Sequence, residues 1–402
     1  MLIYRMKKFK NRINIFIILL SLFIGFLLVE IGMRFAKIEY PMFQTHDFHR
    51  GFSLRPNASG WWTREGEAYV KINSQGLRDI ERKKNKNENI LRIAVLGDSF
   101  VEARSIPIKK TFWFLMQEKL NFCIKNNNAK VEVINFGVTE YSTAQEFLTL
   151  KHHVWDYDPD IILLAFFSGN DISDNSKALS NKKYRPFFIY KNNNFVLDNS
   201  FRQSKPYLLL KSKIGQMAVK LSDYSRIVQF LKEIYITQHF RTQKKNRHKE
   251  IEDKKDSFNE AGISYNQIYN PIQKQWKEAW IITESIIKLM SDEVKEKGLK
   301  FIVVTLSTAA QVHPDPSFRK SFVKKINNND LFYPEKRIKK LGDEKGFLVI
   351  NLAEKMKNYA QKNKIFLHGF ANTVMGEGHW NLDGHKIASQ IISKEMCESL
   401  ER

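Results

Sequence analysis

The most regular feature of the sequence is the alternation, after Asn89, of short apolar runs with longer amphipathic stretches. Five runs have strand length and are mostly bounded by turn residues: Leu91–Leu96, Val131–Phe136, Ile161–Phe167, Phe301–Leu306 and Phe347–Asn351. Because they are apolar almost throughout, we predict strands that are buried on both faces, as in a parallel sheet. Helical spacing predicts helices at about Thr111–Lys125, Thr143–Val154, Gln273–Lys297 and Leu382–Ser399. The alternation predicts an α/β protein with three layers, built on a flavodoxin-like five-stranded parallel sheet.

The N-terminus has the pattern of a membrane signal anchor. Residues Ile13 to Val29 form an uncharged run that is rich in Ile, Leu and Phe. Five basic residues precede this run: Arg5, Lys7, Lys8, Lys10 and Arg12. No small-x-small cleavage site follows, so we predict an uncleaved transmembrane segment over residues 13–33, with Glu30 at the level of the lipid headgroups. The basic cluster precedes the span, which predicts that residues 1–12 stay in the cytoplasm and the remainder lies outside it, in the periplasm.

Changes in composition predict the remaining boundaries. Residues 38–89 are rich in aromatic and turn residues and then polar, and we interpret them as a β-containing entry segment with a linker. Residues 90–402 follow as the α/β domain. A stretch at about 173–270 is too long for one crossover, and we interpret it as an insertion that could cap a site. Its basic run, Arg241–Lys249, is predicted to be a solvated surface.

Charge and cysteine content limit the choice of partner. A formal net charge of +22 suits a polyanion, whether nucleic acid, an acidic glycan or an anionic membrane. The predicted topology and the lack of a binding motif argue against nucleic acid. Cys123 and Cys397 could pair in an oxidising compartment or be inert core residues, and the sequence leaves both open. No metal-ligand spacing occurs, so we predict neither a metal nor another cofactor.

Three polar signals fall where the first three predicted strands end: Gly97-Asp98-Ser99, Asn135-Phe136-Gly137 and Gly169-Asn170-Asp171. Ligands of open α/β sheets bind beyond the carboxyl ends of the strands, so these residues should converge. A serine at a strand-to-helix turn exposes its hydroxyl group, which makes Ser99 the candidate nucleophile. The N–H groups of Ser99 and Gly137 and the side-chain amide of Asn170 are the candidate oxyanion hole. Asp98 is expected to organise the turn through backbone hydrogen bonds.

A serine nucleophile needs a base, and the C-terminal segment offers two histidines. His379 and His385 each follow a carboxylate by two positions, Glu377 and Asp383. Asn381 is a plausible N-cap for the last helix, which places His379 in the preceding loop and His385 on the helix. A loop residue reaches the strand ends more easily, so His379 is the predicted base and His385 is predicted to pack or cap near the helix start.

Together these four blocks resemble the SGNH (GDSL) hydrolase family. They are Ile93–Phe100, Val133–Gly137, Gly169–Asp171 and Glu377–Asn381. The resemblance implies acyl-ester chemistry, in which Ser99 attacks a carbonyl and His379 relays the proton. It also implies an oxyanion hole of Ser99, Gly137 and Asn170. Membrane-anchored relatives outside the cytoplasm often act on acetyl groups of glycans.

The chain departs from the family pattern at the carboxylate that orients the catalytic histidine, the third member of the family's serine–histidine–carboxylate triad. The family usually has Asp three residues before the histidine, where this chain has Gly376, and Glu377 is the predicted replacement. The expected function is an ester hydrolase that acts on an acylated glycan outside the cytoplasm, with O-acetyl as the expected acyl group. An O-acetyltransferase that uses the same site is one alternative, and a non-catalytic glycan-binding or assembly protein that keeps the fold is the other.

Overall fold

A computed structural model of the chain has a central five-stranded parallel sheet. It describes residues 2–123, 130–182, 184–234, 237–238, 260, 263–328 and 330–400. The sheet strands are β5 (Ile90–Gly97), β6 (Lys130–Asn135), β7 (Ile161–Phe166), β10 (Lys300–Thr305) and β11 (Leu348–Asn351). Their spatial order is β11-β10-β7-β5-β6, and every pairing is parallel. The chain passes from β5 to β6 on one side and then crosses to β7 on the other side of β5, so a ligand site is expected at the carboxyl ends of β5 and β7.

Helices cover both faces of this sheet. Those nearest the site in sequence are α2 (Ser99–Glu102), α3 (Phe112–Cys123), α4 (Thr143–His152) and α5 (Asp171–Asn175). The helices that follow along the chain are α6 (Lys205–Lys211), α7 (Lys213–Tyr224), α8 (Tyr265–Tyr269), α9 (Lys274–Glu296), α10 (Pro316–Lys325), α11 (Tyr333–Lys345), α12 (Ala353–Asn363) and α13 (Leu382–Leu400). Of these, α7 belongs to a separate compact unit of the chain. Residues 226–234 are also helical.

Alternate strand residues enter two separate cores. Leu96, Leu164 and Val303 pack with α4, α9 and α11 on one face, whereas Val95 and Leu163 pack with α3, α12 and α13 on the other. All five side chains are fully buried. This explains why the strands are apolar throughout and confirms the predicted three-layer α/β architecture.

The predicted strands agree with the structure to within one residue at either end. Three helices between β10 and α13 were absent from the prediction: α10, α11 and α12. Two of them, α10 and α11, begin with a proline in the first turn, a helix-start signal that fits the structure. Their sequences carry many lysines, so their apolar stripes are narrow and hard to distinguish from solvated loops.

The entry segment consists of two β-hairpins. Strand β1 (Gln44–Asp47) pairs with β2 (Gly51–Leu54), and β3 (Ser59–Trp62) pairs with β4 (Ala68–Lys71). Their inward side chains form a third core with two residues from the loop after β6: Phe43, Phe52, Leu54, Ala58, Val70, Ile72, Val138 and Tyr141. Tyr141 also donates to the carbonyl of Phe52 at 2.6 Å. The hairpins are thus fixed beside the ends of the sheet strands.

Buried Arg78 ties the end of the entry segment to the turn that follows α2. Its guanidinium donates to the carbonyl oxygens of Glu102, Ala103 and Ile106. These carbonyls follow the short helix that begins at Ser99, where orphan acceptors need partners. A cation at a helix C-terminus also suits the helix dipole.

Residues 173–270, predicted as an insertion, contain the hairpin β8 (Phe187–Lys191) and β9 (Asn194–Asp198) together with α6, α7 and α8. The basic run 241–249 lies outside the described residues. The contacts divide the chain into two compact units. One comprises Met1–Met42 with Lys213–Lys255, and the other comprises Phe43–Ser212 with Asp256–Arg402.

The N-terminal helix α1 (Leu2–Phe35) belongs to the smaller unit. An 18-residue window within its segment Lys10–Phe35 has a mean hydropathy of 2.7, and the segment is long enough to cross a bilayer. Only 6% of that window is buried within the protein. A core helix of a soluble domain would be covered, so the exposure is typical of a membrane span or a signal sequence.

Cys123 and Cys397 form a disulfide, which answers a question that the sequence left open. Their Cα atoms lie 6.2 Å apart, and the bond links the end of α3 to α13 across 274 residues. Protein disulfides persist mainly in oxidising compartments outside the cytoplasm.

We expect the purified protein, unfolded without reductant, to take up no iodoacetamide. After reduction it should take up two equivalents, one for each cysteine. Mass spectrometry measures both. The Cys123→Ser/Cys397→Ser double variant should lose about 2–5 kcal/mol of unfolding free energy, measured by denaturant titration. Free thiols in the unreduced protein would contradict the pairing.

Candidate active site

The candidate nucleophile lies at a tight strand-to-helix turn. Strand β5 ends at Gly97, Asp98 is the N-cap, and α2 begins at Ser99. Asp98 Oδ1 accepts a hydrogen bond from the backbone N–H of Phe100 at 2.9 Å, as expected from the sequence. The backbone N–H of Ser99 makes no hydrogen bond within the described residues. It therefore remains available to a ligand at the N-terminus of α2.

Asn170 lies beside this turn, at the end of the neighbouring strand. Its side-chain Nδ2 donates to Asp98 Oδ2 at 2.8 Å. An amide NH₂ carries two hydrogens, so one of them is still available for a second acceptor. Asp98 therefore has two functions, because it caps α2 and orients Asn170. Burial raises the pKa of Asp98, although the hydrogen bonds from Phe100 and Asn170 oppose that effect.

The structure differs from the predicted oxyanion hole at Gly137. Its N–H donates to Asn135 Oδ1 at 2.8 Å, and the side chain of Asn135 in turn donates to the carbonyl of Arg78 at 2.9 Å. A Cβ atom on Gly137 would lie 2.4 Å from Cβ of Val101. The glycine thus permits close contact between the loop and α2, and its N–H is committed to the link with the entry segment.

The predicted base is in contact with the predicted nucleophile. His379 Nε2 lies 2.8 Å from Ser99 Oγ, although 280 residues separate them in sequence. His385 is elsewhere: it lies on α13, and its Nδ1 accepts from the backbone N–H of Phe112 at 3.2 Å. Burial lowers the pKa of His385 to about 3, so it is neutral and caps the start of α3.

The carboxylate that contacts the histidine is Glu65, which corrects the expectation for Glu377. Glu65 Oε2 is hydrogen-bonded to His379 Nδ1, and Glu65 Oε1 accepts from the backbone N–H of His379 at 2.7 Å. A carboxylate is an acceptor, so His379 carries its proton on Nδ1 and presents a bare Nε2 to Ser99. Glu377 lines the same cavity but, among the described residues, makes no hydrogen bond to the imidazole.

The physical reason for this difference is the conformation of the histidine loop. Gly378, between Glu377 and His379, has φ of +77°, and a Cβ atom there would lie 2.2 Å from Glu65 Oε1. The space beside the loop is therefore filled by the carboxylate of Glu65. Glu377 precedes Gly378, the residue with the left-handed conformation. Glu65 contacts both the backbone N–H and the Nδ1 atom of His379.

Glu65 lies at the tip of the β3–β4 hairpin, which is fastened to the histidine loop. Asn372 Oδ1 accepts from the backbone N–H of Gly66 at 2.9 Å. Asn372 Nδ2 donates to the carbonyls of Thr63 and Gly66, each at 3.0 Å. One asparagine side chain thus grips both sides of the turn that carries Glu65.

A buried series of hydrogen-bonded side chains supports the histidine loop. His368 Nδ1 lies 2.7 Å from the carbonyl oxygen of Gly378, which can only accept, so Nδ1 carries the proton. His368 Nε2 then accepts from Ser307 Oγ at 3.2 Å, and Ser307 Oγ accepts from Trp380 Nε1 at 2.9 Å. Burial lowers the pKa of His368 to about 4, which keeps this tautomer neutral. This series of hydrogen bonds fixes Gly378 and Trp380, the residues on either side of His379.

The electrostatic environment raises the pKa of His379. Burial lowers it, but the hydrogen bond and negative charge of Glu65, with the charges of Asp98 and Glu260, outweigh that effect and raise it above 6.5. Burial raises the pKa of Glu65, but the hydrogen bond and charge of His379 outweigh it and lower the pKa. When the imidazole takes up a second proton, the two groups therefore stabilise each other as an ion pair.

Ser99 and His379 open into a cavity of about 370 Å³. Its apolar wall includes Phe100, Phe167, Ile263 and Val374, and its polar wall includes Asn170, Thr373, Glu65, Glu260 and Glu377. Among the described residues that line it, there is no lysine or arginine. The cavity is thus acidic, in contrast to the strongly basic chain.

Sequence reasoning missed Glu65 because it sought a carboxylate close to His379 along the chain. Glu65 and His379 are 314 residues apart. One feature of the sequence pointed to such a residue. Gly376 occupies the position, three residues before His379, where the family usually has Asp, so a carboxylate from another part of the chain was needed to orient the histidine. The segment Thr63-Arg64-Glu65-Gly66-Glu67 reads as a hairpin turn between aromatic strands.

No protein-family model and no curated protein matches this chain. Several solved structures are similar to it. A catalytic mutant of Axe2, an acetylxylan esterase from Geobacillus stearothermophilus, has a TM-score of 0.38 and 10% identity over 78% of this chain and 96% of that one. The acetyl xylan esterase AlAXEase has a TM-score of 0.37 and 13% identity over 76% and 98%.

A third similar structure is a lipolytic protein of the G-D-S-L family from Desulfitobacterium hafniense. It has a TM-score of 0.33 and 10% identity, and covers 76% of this chain and 98% of that one. At these values the likeness extends no further than the fold.

We expect Glu65→Gln to lower the pKa of His379, because glutamine keeps an acceptor but removes the negative charge that opposes burial. Glu377→Gln is the matched control and should leave that pKa much closer to its original value. NMR titration of the histidine rings measures both, and His379→Asn identifies the resonance. A larger decrease in Glu377→Gln than in Glu65→Gln would return the orienting role to Glu377.

Proposed function

We propose that this chain is a serine-dependent ester hydrolase. The observation that carries the proposal is the continuous hydrogen-bonded series from Ser99 Oγ through His379 to Glu65. A serine hydroxyl is a weak nucleophile unless a base removes its proton, and a base of this kind needs a fixed tautomer. Both requirements are met by side chains within one cavity.

In the proposed reaction, Ser99 Oγ attacks the ester carbonyl while His379 Nε2 takes the hydroxyl proton. The tetrahedral intermediate collapses, the bond to the alcohol oxygen breaks, and His379 returns the proton to that oxygen. A water molecule then attacks the acyl-enzyme with His379 again as base, which releases the acid and restores Ser99. Glu65 stays ionised and stabilises the imidazolium that forms in each step.

The negative charge on the carbonyl oxygen needs donors that are already in position. The backbone N–H of Ser99 and the second hydrogen of the Asn170 amide are the proposed pair, because both belong to groups beside the nucleophile. Asp98 holds the amide in orientation. Gly137 can join only if its N–H turns away from Asn135 Oδ1, which accepts it at 2.8 Å.

For the natural substrate, we propose an acyl ester, acetyl in the simplest case, carried by a glycan outside the cytoplasm. The resemblance to SGNH enzymes suggests the chemistry. The apolar N-terminal helix and the disulfide Cys123–Cys397 support an extracytoplasmic, membrane-anchored protein with a cytoplasmic N-terminus. Transfer of the acyl group to a sugar hydroxyl would use the same acyl-enzyme, so the products distinguish the two reactions.

The charge of the cavity narrows the class of ester. Glu260 and Glu377 line it beside the triad, and no lysine or arginine does so among its described residues. Negative side chains repel an anionic acyl group and attract a cationic one. We therefore expect neutral or cationic esters to be accepted and anionic esters, such as hemisuccinates, to be disfavoured.

The protein should hydrolyse p-nitrophenyl acetate, and Ser99→Ala should reduce kcat/KM by at least about 10³-fold. Because His379 must be neutral to act as base and its pKa is raised, the rate should increase with pH through a midpoint above 6.5. Ser317→Ala, at an exposed serine of α10, is the matched control. Turnover that survives Ser99→Ala would contradict the assigned nucleophile. Acetate release from, or transfer to, extracted surface polysaccharide separates hydrolase from transferase.

Among p-nitrophenyl esters of similar size, we expect β-alanine and butyrate esters to be cleaved faster than the hemisuccinate. A half-exposed carboxylate a few ångströms away contributes about 1 kcal/mol, which is about fivefold in kcat/KM. Glu377→Gln should reduce this discrimination without abolishing turnover. Equal rates for all three esters, with full dependence on Ser99, would reject the charge selectivity and leave the hydrolase intact.

A further inference from the structure

The smaller compact unit contains a helix with an uncovered apolar face. In α7, the side chains of Ile214, Met217, Leu221 and Tyr224 repeat at helical spacing and form one stripe. Their exposed fractions are 76%, 69%, 56% and 77%. The side of α7 that packs against the protein is a different one, since it carries the buried residues Val219 and Ser222.

Lysines border this stripe. On a helical projection, Lys213 and Lys220 lie at its edge, and both are exposed. The next helical segment, residues 226–234, also exposes apolar side chains with helical spacing: Phe230, Leu231 and Ile234. An apolar face with flanking lysines is the pattern of a helix that lies in the interface of a bilayer and attracts anionic headgroups.

The end of α7 is fastened to the end of the N-terminal helix. Glu30 of α1 accepts from Ser225 Oγ at 3.0 Å and from the backbone N–H groups of Arg226 and Ile227 at 2.9 and 3.1 Å. Arg34 donates to the carbonyl oxygen of Tyr224 at 2.6 Å. The contact therefore joins α7 to the last turns of α1, where the apolar run ends.

Two further contacts hold the same arrangement. Arg226 forms an ion pair with Glu39 at 2.6 Å, and Gln229 accepts from the backbone N–H of Tyr40 at 2.8 Å. Glu30 itself is buried by these partners. The oxygens of a carboxylate at the end of an apolar span thus receive hydrogen bonds from the residues that directly follow α7.

We propose that the apolar stripe of α7 is a second membrane contact, seated in the lipid interface where α1 leaves the bilayer. The occupant of the stripe is bilayer lipid, with anionic headgroups on the lysines at its edge. The inference rests on the proposed anchoring by α1. It adds a two-point attachment, in which the span provides the anchor and α7 rests on the membrane surface.

The test uses the full chain in liposomes of phosphatidylcholine and phosphatidylglycerol. Because the native cysteines are paired, single cysteines can be labelled with the NBD fluorophore in the variants Met217→Cys, Gln216→Cys and Leu19→Cys. Leu19 lies in the proposed span, and Gln216 is exposed on the polar side of α7. Lipids that carry doxyl groups should cause loss of emission from the Leu19 and Met217 labels, and much less loss from the Gln216 label.

Quenching at Leu19 with water-like emission at Met217 would overturn the surface contact and leave the anchor in place. Emission at Met217 that is blue-shifted but insensitive to doxyl lipid would show that protein, such as a second copy, covers the stripe, and would also overturn it. An unquenched Leu19 label would reject the anchor and the inference together. Circular dichroism confirms that each labelled variant is folded, and esterase assays on the same samples test the proposed function separately.

Discussion

The bond between Glu65 and His379 is the interaction on which the rest of the site depends. It fixes the imidazole tautomer, sets the direction of Nε2 and raises the pKa of His379 above its ordinary value. Without it, Ser99 would face a histidine that is free to rotate. Much of the surrounding architecture holds these two residues together, from Asn372 at the hairpin turn to His368 beneath the loop.

The site is assembled from both ends of the larger unit. The entry segment contributes Glu65, and through Arg78 it also supports the turn after the nucleophile helix. The sheet supplies Ser99 and Asn170 at adjacent strand ends, and the final loop supplies His379. These residues are far apart in the sequence. Shared hydrophobic cores and side-chain hydrogen bonds bring them together in the fold. The entry hairpins are therefore part of the site.

The features that could be predicted from the sequence are those marked by a short stretch of residues. The five strands are continuously apolar, so their positions were predicted almost to the residue, and Ser99, Asn170 and His379 follow from their places at strand and helix ends. The partner of His379 could not be predicted in this way. A glutamate at a hairpin tip resembles any surface turn, and only the tertiary packing of β3–β4 brings it to the imidazole. The commitment of the Gly137 N–H to Asn135 is equally invisible, because it depends on a side-chain rotamer.

The separation of Glu65 and Ser99 from His379 has a consequence for synthesis of the protein. The chain emerges N-terminus first, so the hairpin and the nucleophile turn are made long before the histidine loop. Throughout that interval Ser99 has no base and Glu65 has no cation. The disulfide between Cys123 and Cys397 closes only with the last helix. The contact between Ser99, His379 and Glu65 can therefore form only after the histidine loop has been synthesised, and a polypeptide released before that point carries Ser99 and Glu65 without His379.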